Sequence, residues 1–221
     1  MFKEIKKGPS PKKHWMKKIY TIKIFLGLLL ISTAFIILPS LWGRIHSDEA
    51  LYWDVAHNIF LGKGVTSGID NRAFQTHFPL PFFLVAPVFF LWDNFLSARI
   101  VAGIFTFGIV FMVYLLAKQY FSQRKALISA MIFLTSFQAL RFGGRFYLDQ
   151  FGVFFFLLTW FLLLKKRPLW AGLASVFMII SREYWIAIYP FLLFFLGTIK
   201  IYEGKNSRVK TFFYFLLPLV F

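Results

Sequence analysis

The sequence has no cysteine and few acidic residues. Because none of its 221 residues is cysteine, disulfides, thiolate metal ligands and a cysteine nucleophile are excluded. Asp and Glu together number nine, against 25 Lys and Arg. No internal repeat or low-complexity tract is visible, which argues against a repeat architecture. Against this background, the adjacent carboxylates of Asp48 and Glu49 stand out as candidates for chemistry.

Apolar residues dominate what remains. Hydrophobic residues make up 59% of the chain and 32 residues are Phe, whereas soluble domains are about 45–50% apolar. Residues 20–41 carry one charge, Lys23, and are long enough to cross a bilayer core, which needs about 20 apolar residues. A cleaved signal peptide is the alternative, but the run is too long and lacks a small-residue cleavage site. Further apolar runs lie at 79–92, 97–117, 126–143, 146–164, 169–181, 184–201 and 211–221.

The composition therefore predicts an all-α, polytopic transmembrane protein with about six to seven spans. Residues 20–221 form its membrane domain, and we expect the chain to be truncated after residue 221 because it stops within an apolar run. The segment 79–92 contains three prolines, Pro79, Pro81 and Pro87. We predict that it is an interfacial or re-entrant helix and not a span.

Positive charge predicts the orientation, since cytoplasmic loops are rich in Lys and Arg. Residues 1–19 contain seven Lys and form a basic cytoplasmic tail, which places the loop 42–96 outside. The basic loops at 118–125, 165–168 and 200–210 are predicted inside. The net charge of +16 then falls on the cytoplasmic side. This favours attraction to anionic membrane lipids over nucleic-acid binding.

Three polar clusters meet on the predicted outer side: Asp48-Glu49, residues 145–149 and Arg182-Glu183. The run 169–181 spans only about 20 Å as a helix, so Arg182 and Glu183 are predicted to lie below the outer membrane surface. Ionisable groups at that depth face a cavity or one another, and a mutual ion pair is the structural alternative. For residues 145–149 the alternative is a snorkelling Arg145, an interfacial Tyr147 and a helix-starting Asp149.

The acidic pair has a structural alternative as well. Ser47 is a good N-cap for a helix from Asp48 to about Leu61, and carboxylates in a first turn are stabilised by the helix dipole by about 0.3–1 kcal/mol. Helical periodicity places Asp48 and Glu49 on the same side as the apolar residues, facing the membrane. A helix selected only for solubility would not carry carboxylates there, so a functional role is favoured.

Three histidines share the outer loop with these acids, so a divalent cation site is conceivable. The spacing matches no defined metal motif, and no cofactor is required by the sequence. The residues concerned are His46, His57, His77, Asp48, Glu49 and Asp54.

Five segments together resemble a known family. They are R-x-H-S-D-E-A-L-Y, T-H-F-P-L-P-F-F, L-W-x-N-F-L-S-A-R-I-V, K-Q-Y-F-S-Q-R-K-A and G-R-F-Y-L-D, in this order. The pattern resembles the amino-terminal half of GT-C membrane glycosyltransferases over about residues 20–190. The most similar branches are the protein O-mannosyltransferases, aminoarabinose transferases and lipopolysaccharide-core galacturonosyltransferases. Phe78 replaces a proline of the family's H/K-P-P-L element at His77 and Pro79.

The resemblance implies a multi-pass protein of a prokaryotic cell membrane. It would transfer a sugar from a polyprenyl-phosphate donor to a glycolipid or protein acceptor at the outer face of that membrane. By this resemblance, Asp48 and Glu49 are the expected catalytic residues, with Asp48 as the base. A half-apolar site can raise the pKa of a carboxylate and so suit it to proton transfer. Donor phosphate needs cationic partners. The substrate-binding residues expected on this basis are Arg145, Tyr147, Asp149, Arg182, Glu183 and His77.

Two other classes remain open. A lipid flippase or solute transporter would place Asp149 and Arg182-Glu183 on a transmembrane path, and would show inverted repeats. A non-catalytic membrane scaffold, or the remnant of a split enzyme, would have the same helices but no catalytic activity.

Overall fold

The computed structural model describes residues 43–68, 72–73, 79–198, 211 and 213–218, with Ile24, Gly27 and Ile31 as single positions. The predicted tail 1–19, most of the predicted first span and the loop 200–210 lie outside the described residues. Throughout the described part the chain is predominantly helical. The α-helices are α1 Ser47–Phe60, α2 Leu80–Val85, α3 Phe95–Tyr120, α4 Gln123–Leu134, α5 Phe137–Phe142, α6 Asp149–Leu164, α7 Pro168–Ser181 and α8 Tyr189–Thr198.

Shorter elements complete the architecture. One 3₁₀ helix, Ala86–Phe90, continues α2, and another, Glu183–Ile188, leads into α8. Strands β1, Thr66–Ser67, and β2, Arg72–Ala73, form an antiparallel pair after α1. Asp54 in α1 fixes this hairpin by accepting hydrogen bonds from the Ser67 hydroxyl at 3.1 Å and the Gly68 amide.

Helix α3 has the dimensions of a membrane span. Its 26 residues extend about 39 Å, beyond the roughly 30 Å of a hydrocarbon core. Asn94 caps its first turn by accepting hydrogen bonds from the amides of Leu96 and Ser97. Within the described part, α3 is the one helix that meets the length and hydropathy of a span. Shorter apolar helices cover Leu80–Phe90, Asp149–Leu164, Pro168–Ser181 and Glu183–Phe194.

The helices of the bundle alternate in direction, so that it has two distinct ends. Helix α3 packs on α4 and α6, and α6 packs on α7. Lys165, which follows α6, donates to Gln119 near the end of α3 at 3.0 Å, so these two helices finish at the same end. The connections at this end are basic and lack carboxylates, and their cations are Lys118, Arg124, Lys125, Lys165, Lys166 and Arg167.

Helix α1 lies across the opposite end of the bundle. Its buried face, which includes Tyr52, Val55 and Ala56, joins one apolar core with the helices α2, α3 and α6. The other buried members of that core are Phe82, Val85, Phe89, Ala98, Val101, Ala102, Phe146, Leu148 and Phe151. The docking of this amphipathic helix brings its amino terminus over the start of α6.

Three of the sequence-based boundaries need correction. The run 126–143, predicted as one span, is two helices, α4 and α5, separated at Thr135 and Ser136. Here the Thr135 hydroxyl donates to the Ile132 carbonyl, and the Ser136 hydroxyl accepts from the Ala139 amide. Such side-chain bonds to the backbone compete with helix continuation.

The next predicted helix begins at Asp149 and not at residue 146. The predicted run 184–201 begins as a 3₁₀ helix, and its α-helical part is Tyr189–Thr198. The predicted segment 79–92 is a short helix that ends at Phe90, well below the length of a span.

A close approach between α6 and the 3₁₀ helix Glu183–Ile188 depends on Gly152. A Cβ at this position would overlap the indole of Trp185, which stacks on Phe156 with ring centroids 5.7 Å apart. This contact holds the segment after Arg182 against the first turns of α6. Glycine is required here because of space, not because of backbone conformation.

We therefore expect Gly152→Ala to lower the free energy of unfolding by about 1–3 kcal/mol, because the added methyl group overpacks a buried contact. Thermal unfolding of the purified protein in detergent measures this change. The double variant Gly152→Ala/Trp185→Leu removes the overlapping ring and should lose less than the sum of the two single variants. Full additivity in this cycle would contradict the proposed contact.

Candidate active site

A buried ion pair lies beneath the amino terminus of α1. Glu49 is 0% exposed and Arg99, in the second turn of α3, is 2% exposed. The Arg99 Nε donates to Glu49 Oε1 at 2.7 Å and its Nη2 donates to Oε2 at 2.8 Å. This is the bidentate geometry in which a planar guanidinium matches both carboxylate oxygens. The pair joins residues that are 50 positions apart in the sequence.

The same pair fixes two further segments. The backbone amide of Phe146 donates to Glu49 Oε1 at 3.0 Å, and Arg99 Nη1 donates to the Gly43 carbonyl at 3.3 Å. The guanidinium also lies 4.7 Å from the Phe95 ring centroid. The ion pair thus holds together the entry to α1, the start of α3 and the connection that precedes α6.

Asp48 has a different environment. It is exposed, and the Ser47 hydroxyl lies 3.5 Å from its Oδ1. The predicted placement of both carboxylates on one apolar side is therefore wrong, because Glu49 points into the protein while Asp48 remains accessible. Ser47 is the first residue of α1, and the N-cap is His46, which makes no side-chain capping bond. The helix itself is present close to the predicted bounds.

Tyr147 connects the acidic pair to the second predicted cluster. Burial raises the pKa of Tyr147, and the negative charges of Asp48 and Glu49 raise it further, whereas the nearby Arg145 lowers it. The phenol therefore stays protonated at neutral pH and can donate a hydrogen bond. Its ring makes an edge contact with Tyr52, with centroids 6.5 Å apart.

Arg182, from the third predicted cluster, contacts residues of α1 and α6. Its Nη1 donates to the Tyr52 hydroxyl at 3.2 Å, and its Nε lies 3.7 Å from Asp149 Oδ1. The Tyr184 hydroxyl donates to the same Asp149 oxygen, and the Arg182 guanidinium lies 5.4 Å from the Tyr184 ring centroid. Burial raises the pKa of Tyr52, and the charge and hydrogen bond of Arg182 oppose this change.

A cavity of about 480 Å³ begins at this polar cluster. Tyr147, Asp149 and Tyr184 border it, together with Gln150. The Gln150 Nε2 donates to the carbonyls of Phe142 and Arg145, while its Oε1 is buried without a hydrogen-bond partner among the described residues. The remaining lining residues are Thr106, Ile109, Phe133, Ala139, Phe142, Gly143 and Val153.

The structure thus places seven of the eight predicted site residues at one end of the bundle: Asp48, Glu49, Arg145, Tyr147, Asp149, Arg182 and Glu183. Glu183 follows Arg182 as the first residue of the 3₁₀ helix, and the ion pair observed for Arg182 is with Asp149. His77 lies outside the described residues. Among the residues that are described, no three His, Asp or Glu side chains are grouped so as to hold a metal ion.

Sequence reasoning missed Arg99 as a member of the site. A signal for it was available, because an arginine near the start of an otherwise apolar run of membrane length normally has a buried partner. Tyr52 and Tyr184 were also missed. Their contribution depends on contacts between distant segments, and no motif in the sequence marks it.

Comparison with known proteins decides the family. The model of the dolichyl-phosphate-mannose-protein mannosyltransferase family matches residues 73–221, two thirds of the chain. The chain belongs to this family. No curated protein and no solved structure matches the chain significantly.

Membership in this mannosyltransferase family confirms the resemblance to GT-C enzymes and places the protein among membrane glycosyltransferases that use a polyprenyl-phosphate sugar donor. The matched region starts after Asp48 and Glu49, but it contains Arg99 and Phe146, the two residues that bind the Glu49 carboxylate. Glu49 is therefore tied by direct contacts to the part of the chain that matches the family.

Replacing only one partner of the Glu49–Arg99 pair should lower the free energy of unfolding more than replacing both partners. We expect Arg99→Met to lower the free energy of unfolding by about 3–5 kcal/mol, because it leaves an uncompensated buried carboxylate. The double variant Glu49→Leu/Arg99→Met should regain a substantial part of that loss. Thermal unfolding in detergent and resistance to limited proteolysis report both effects.

The exposed neighbour provides the matched control, since Asp48→Leu changes a carboxylate without a buried cation as partner. It should lower the free energy of unfolding by no more than about 1 kcal/mol, because a first-turn carboxylate loses only its favourable interaction with the helix dipole. Equal losses in Arg99→Met and in the double variant would contradict the proposed role of the pair.

Proposed function

We propose that this protein transfers a mannose-type sugar from a polyprenyl-phosphate donor to a hydroxyl group of a protein or glycolipid at the outer face of the membrane, with Asp48 as the general base. The observation that carries the proposal is the pairing of an accessible carboxylate, Asp48, with a buried neighbour that fixes it. Asp48 shares the cluster with Tyr147, Arg145 and Arg182, which supply hydrogen-bond donors and positive charge.

Each group has a distinct role in the reaction. Asp48 takes the proton from the acceptor hydroxyl as its oxygen attacks the anomeric carbon of the sugar. The bond from that carbon to the phosphate oxygen breaks, and the electron pair leaves with the polyprenyl phosphate. Glu49 does not touch substrate in this scheme, because both its oxygens are bound to Arg99. Its role is to hold Asp48 in place.

The leaving phosphate needs positive partners, and the two arginines fit that need. Arg182 is largely buried, and its Nε has no hydrogen-bond partner within the described part of the chain. Its contact with Asp149 is long at 3.7 Å, which leaves donor capacity for a phosphate oxygen. Arg145 stands beside Tyr147. Charge-assisted hydrogen bonds of this kind stabilise developing negative charge on a leaving group.

The separation of charge between the two ends of the bundle supports an outer location for this site. Basic connections without carboxylates collect at the end where α3 and α6 finish. Cytoplasmic ends of membrane helices carry such an excess of Lys and Arg. The opposite end, with Asp48 and Arg182, is then the outer one.

Replacing the base should abolish transfer without disturbing the fold. We expect Asp48→Asn to lower kcat by about 10²–10⁴-fold, the usual contribution of a general base, with membrane insertion and thermal unfolding unchanged. The measurement is transfer of labelled sugar from a polyprenyl-phosphate donor by the purified protein. Asp93→Asn is the matched control, because Asp93 is exposed and its partner is His57 at 3.0 Å. Full activity in Asp48→Asn would refute the assignment.

A separate prediction follows from the proposed binding of the donor phosphate by Arg182. Arg182→Gln should lower kcat/KM for the donor by about 10–100-fold, corresponding to the loss of one charge-assisted hydrogen bond. Arg124→Gln removes an equivalent charge at the basic end and should have no effect. If the two variants behave alike in steady-state kinetics with varied donor concentration, Arg182 does not bind the phosphate.

A further inference from the structure

The end of the bundle where α3 and α6 finish carries cations in positions that the fold alone does not favour. Lys118 lies in the last turn of α3, and Lys165-Lys166-Arg167 connects α6 to α7. The two described connections at this end lack carboxylates, so repulsion among their charges is not offset within them. The three cations after α6 also oppose the dipole of α7 at its amino end. An anion from outside these connections would offset both effects.

Lys166 has a backbone conformation that favours glycine. Among the described residues other than glycine, it alone is left-handed, with a φ of 57°. It closes a turn at the end of α6, since its amide donates to the Leu163 carbonyl and the Arg167 amide donates to the Leu162 carbonyl. Glycine fits such a position best because it has no Cβ. Membrane orientation requires cations at this end but not at the left-handed residue. The lysine therefore indicates a local role for its charge.

Lys165 is held between α3 and α6. Its ammonium group donates to Gln119 Oε1 at 3.0 Å and lies 5.5 Å from the Phe161 ring centroid. The Gln119 side-chain amide donates to the Leu115 carbonyl at 3.0 Å, which orients its oxygen towards Lys165. An ammonium group has three donors, and the bond to Gln119 uses one of them. This contact brings the cations that follow α6 beside the end of α3, where Lys118 lies.

Exposed apolar side chains flank these cations. They are Tyr120 and Phe121 at the end of α3, and Leu169 and Trp170 in the first turn of α7. A soluble anion or a nucleic acid would leave this apolar surface in water, whereas a phospholipid would cover it with acyl chains. Aromatic residues next to Lys and Arg are typical of the boundary between lipid headgroups and hydrocarbon. The combination therefore fits an anion that also has a hydrocarbon part.

We propose that this end of the bundle binds an anionic phospholipid from the adjoining membrane leaflet. Lys118, Lys165, Lys166 and Arg167 contact the headgroup phosphate, and the exposed apolar side chains beside them contact the acyl chains. The lipid thereby joins the end of α3 to the start of α7 and offsets the charge of both connections. This site lies at the opposite end of the bundle from Asp48 and does not depend on the proposed transfer reaction.

Native mass spectrometry of the full chain, released from detergent with added lipid, measures the binding. The probes are phosphatidylglycerol, which has an anionic headgroup, and phosphatidylcholine, which is neutral overall, with matched acyl chains. Phosphatidylglycerol should bind more tightly by on the order of ten-fold or more, since several cations each contribute about five-fold near an anionic headgroup. Inorganic phosphate should not displace it. Equal affinity for the two lipids, or displacement by inorganic phosphate, would overturn the proposal.

Two substitutions of Lys166 separate its charge from its backbone conformation. Lys166→Gln and Lys166→Gly should each weaken phosphatidylglycerol binding by about five-fold, the usual contribution of one cation. In lipid-free detergent, Lys166→Gly should unfold at a higher temperature than Lys166→Gln, because glycine relieves the left-handed conformation. Lys63→Gln removes an exposed charge after α1 and should bind lipid as the wild type does. Wild-type binding in both Lys166 variants would contradict the assignment.

The apolar part of the site is tested separately. Trp170→Ala should weaken phosphatidylglycerol binding several-fold at unchanged charge, because it removes surface that the acyl chains cover. Trp92→Ala makes the same change at an exposed position just before α3, at the opposite end of the bundle, and should have no effect. If Trp170→Ala binds phosphatidylglycerol as tightly as the wild type while Lys166→Gln does not, the site recognises charge alone and the assignment to a lipid is wrong.

Discussion

The bidentate contact between Glu49 and Arg99 is the interaction on which the geometry of the candidate active site depends. Both groups are removed from solvent, and desolvation of two charges can cost as much as their attraction returns. The value of the pair is therefore specificity of arrangement more than stability. Because the Glu49 carboxylate also accepts the Phe146 amide, one side chain sets the positions of α1, α3 and the connection into α6. Asp48, Arg145 and Tyr147 lie immediately beside these fixed points.

The remaining polar contacts extend this arrangement towards α7. Tyr52, one turn along α1 from the ion pair, accepts a hydrogen bond from Arg182, and Arg182 faces Asp149 at the start of α6. Close packing at Gly152 keeps the segment that follows Arg182 against α6. The polar end is thus a continuous set of contacts across four helices. Its charges are mixed, whereas the connections described at the far end of the bundle are uniformly basic.

Much of this arrangement could be predicted from the sequence. The N-cap signal at Ser47 predicted α1 close to its observed bounds, and charge parity brought Asp48, Arg145, Asp149 and Arg182 to one end. Which of the two adjacent carboxylates is buried could not be predicted, because it depends on an arginine 50 positions away. The break at Thr135 and Ser136 was also missed, since hydropathy ignores hydroxyls that bond the backbone.

The adjacency of Asp48 and Glu49 explains how an accessible carboxylate can be held firmly at the end of a helix. Consecutive helical residues point about 100° apart, so one carboxylate can be buried while its neighbour stays in the open. Any movement of α1 that displaced Asp48 would also pull Glu49 from Arg99 and leave two buried charges unpaired. Because that loss is large, the position of the Asp48 carboxylate is coupled to the integrity of the fold. The two carboxylates therefore have complementary environments, since Glu49 is bound to Arg99 while Asp48 stays accessible to solvent.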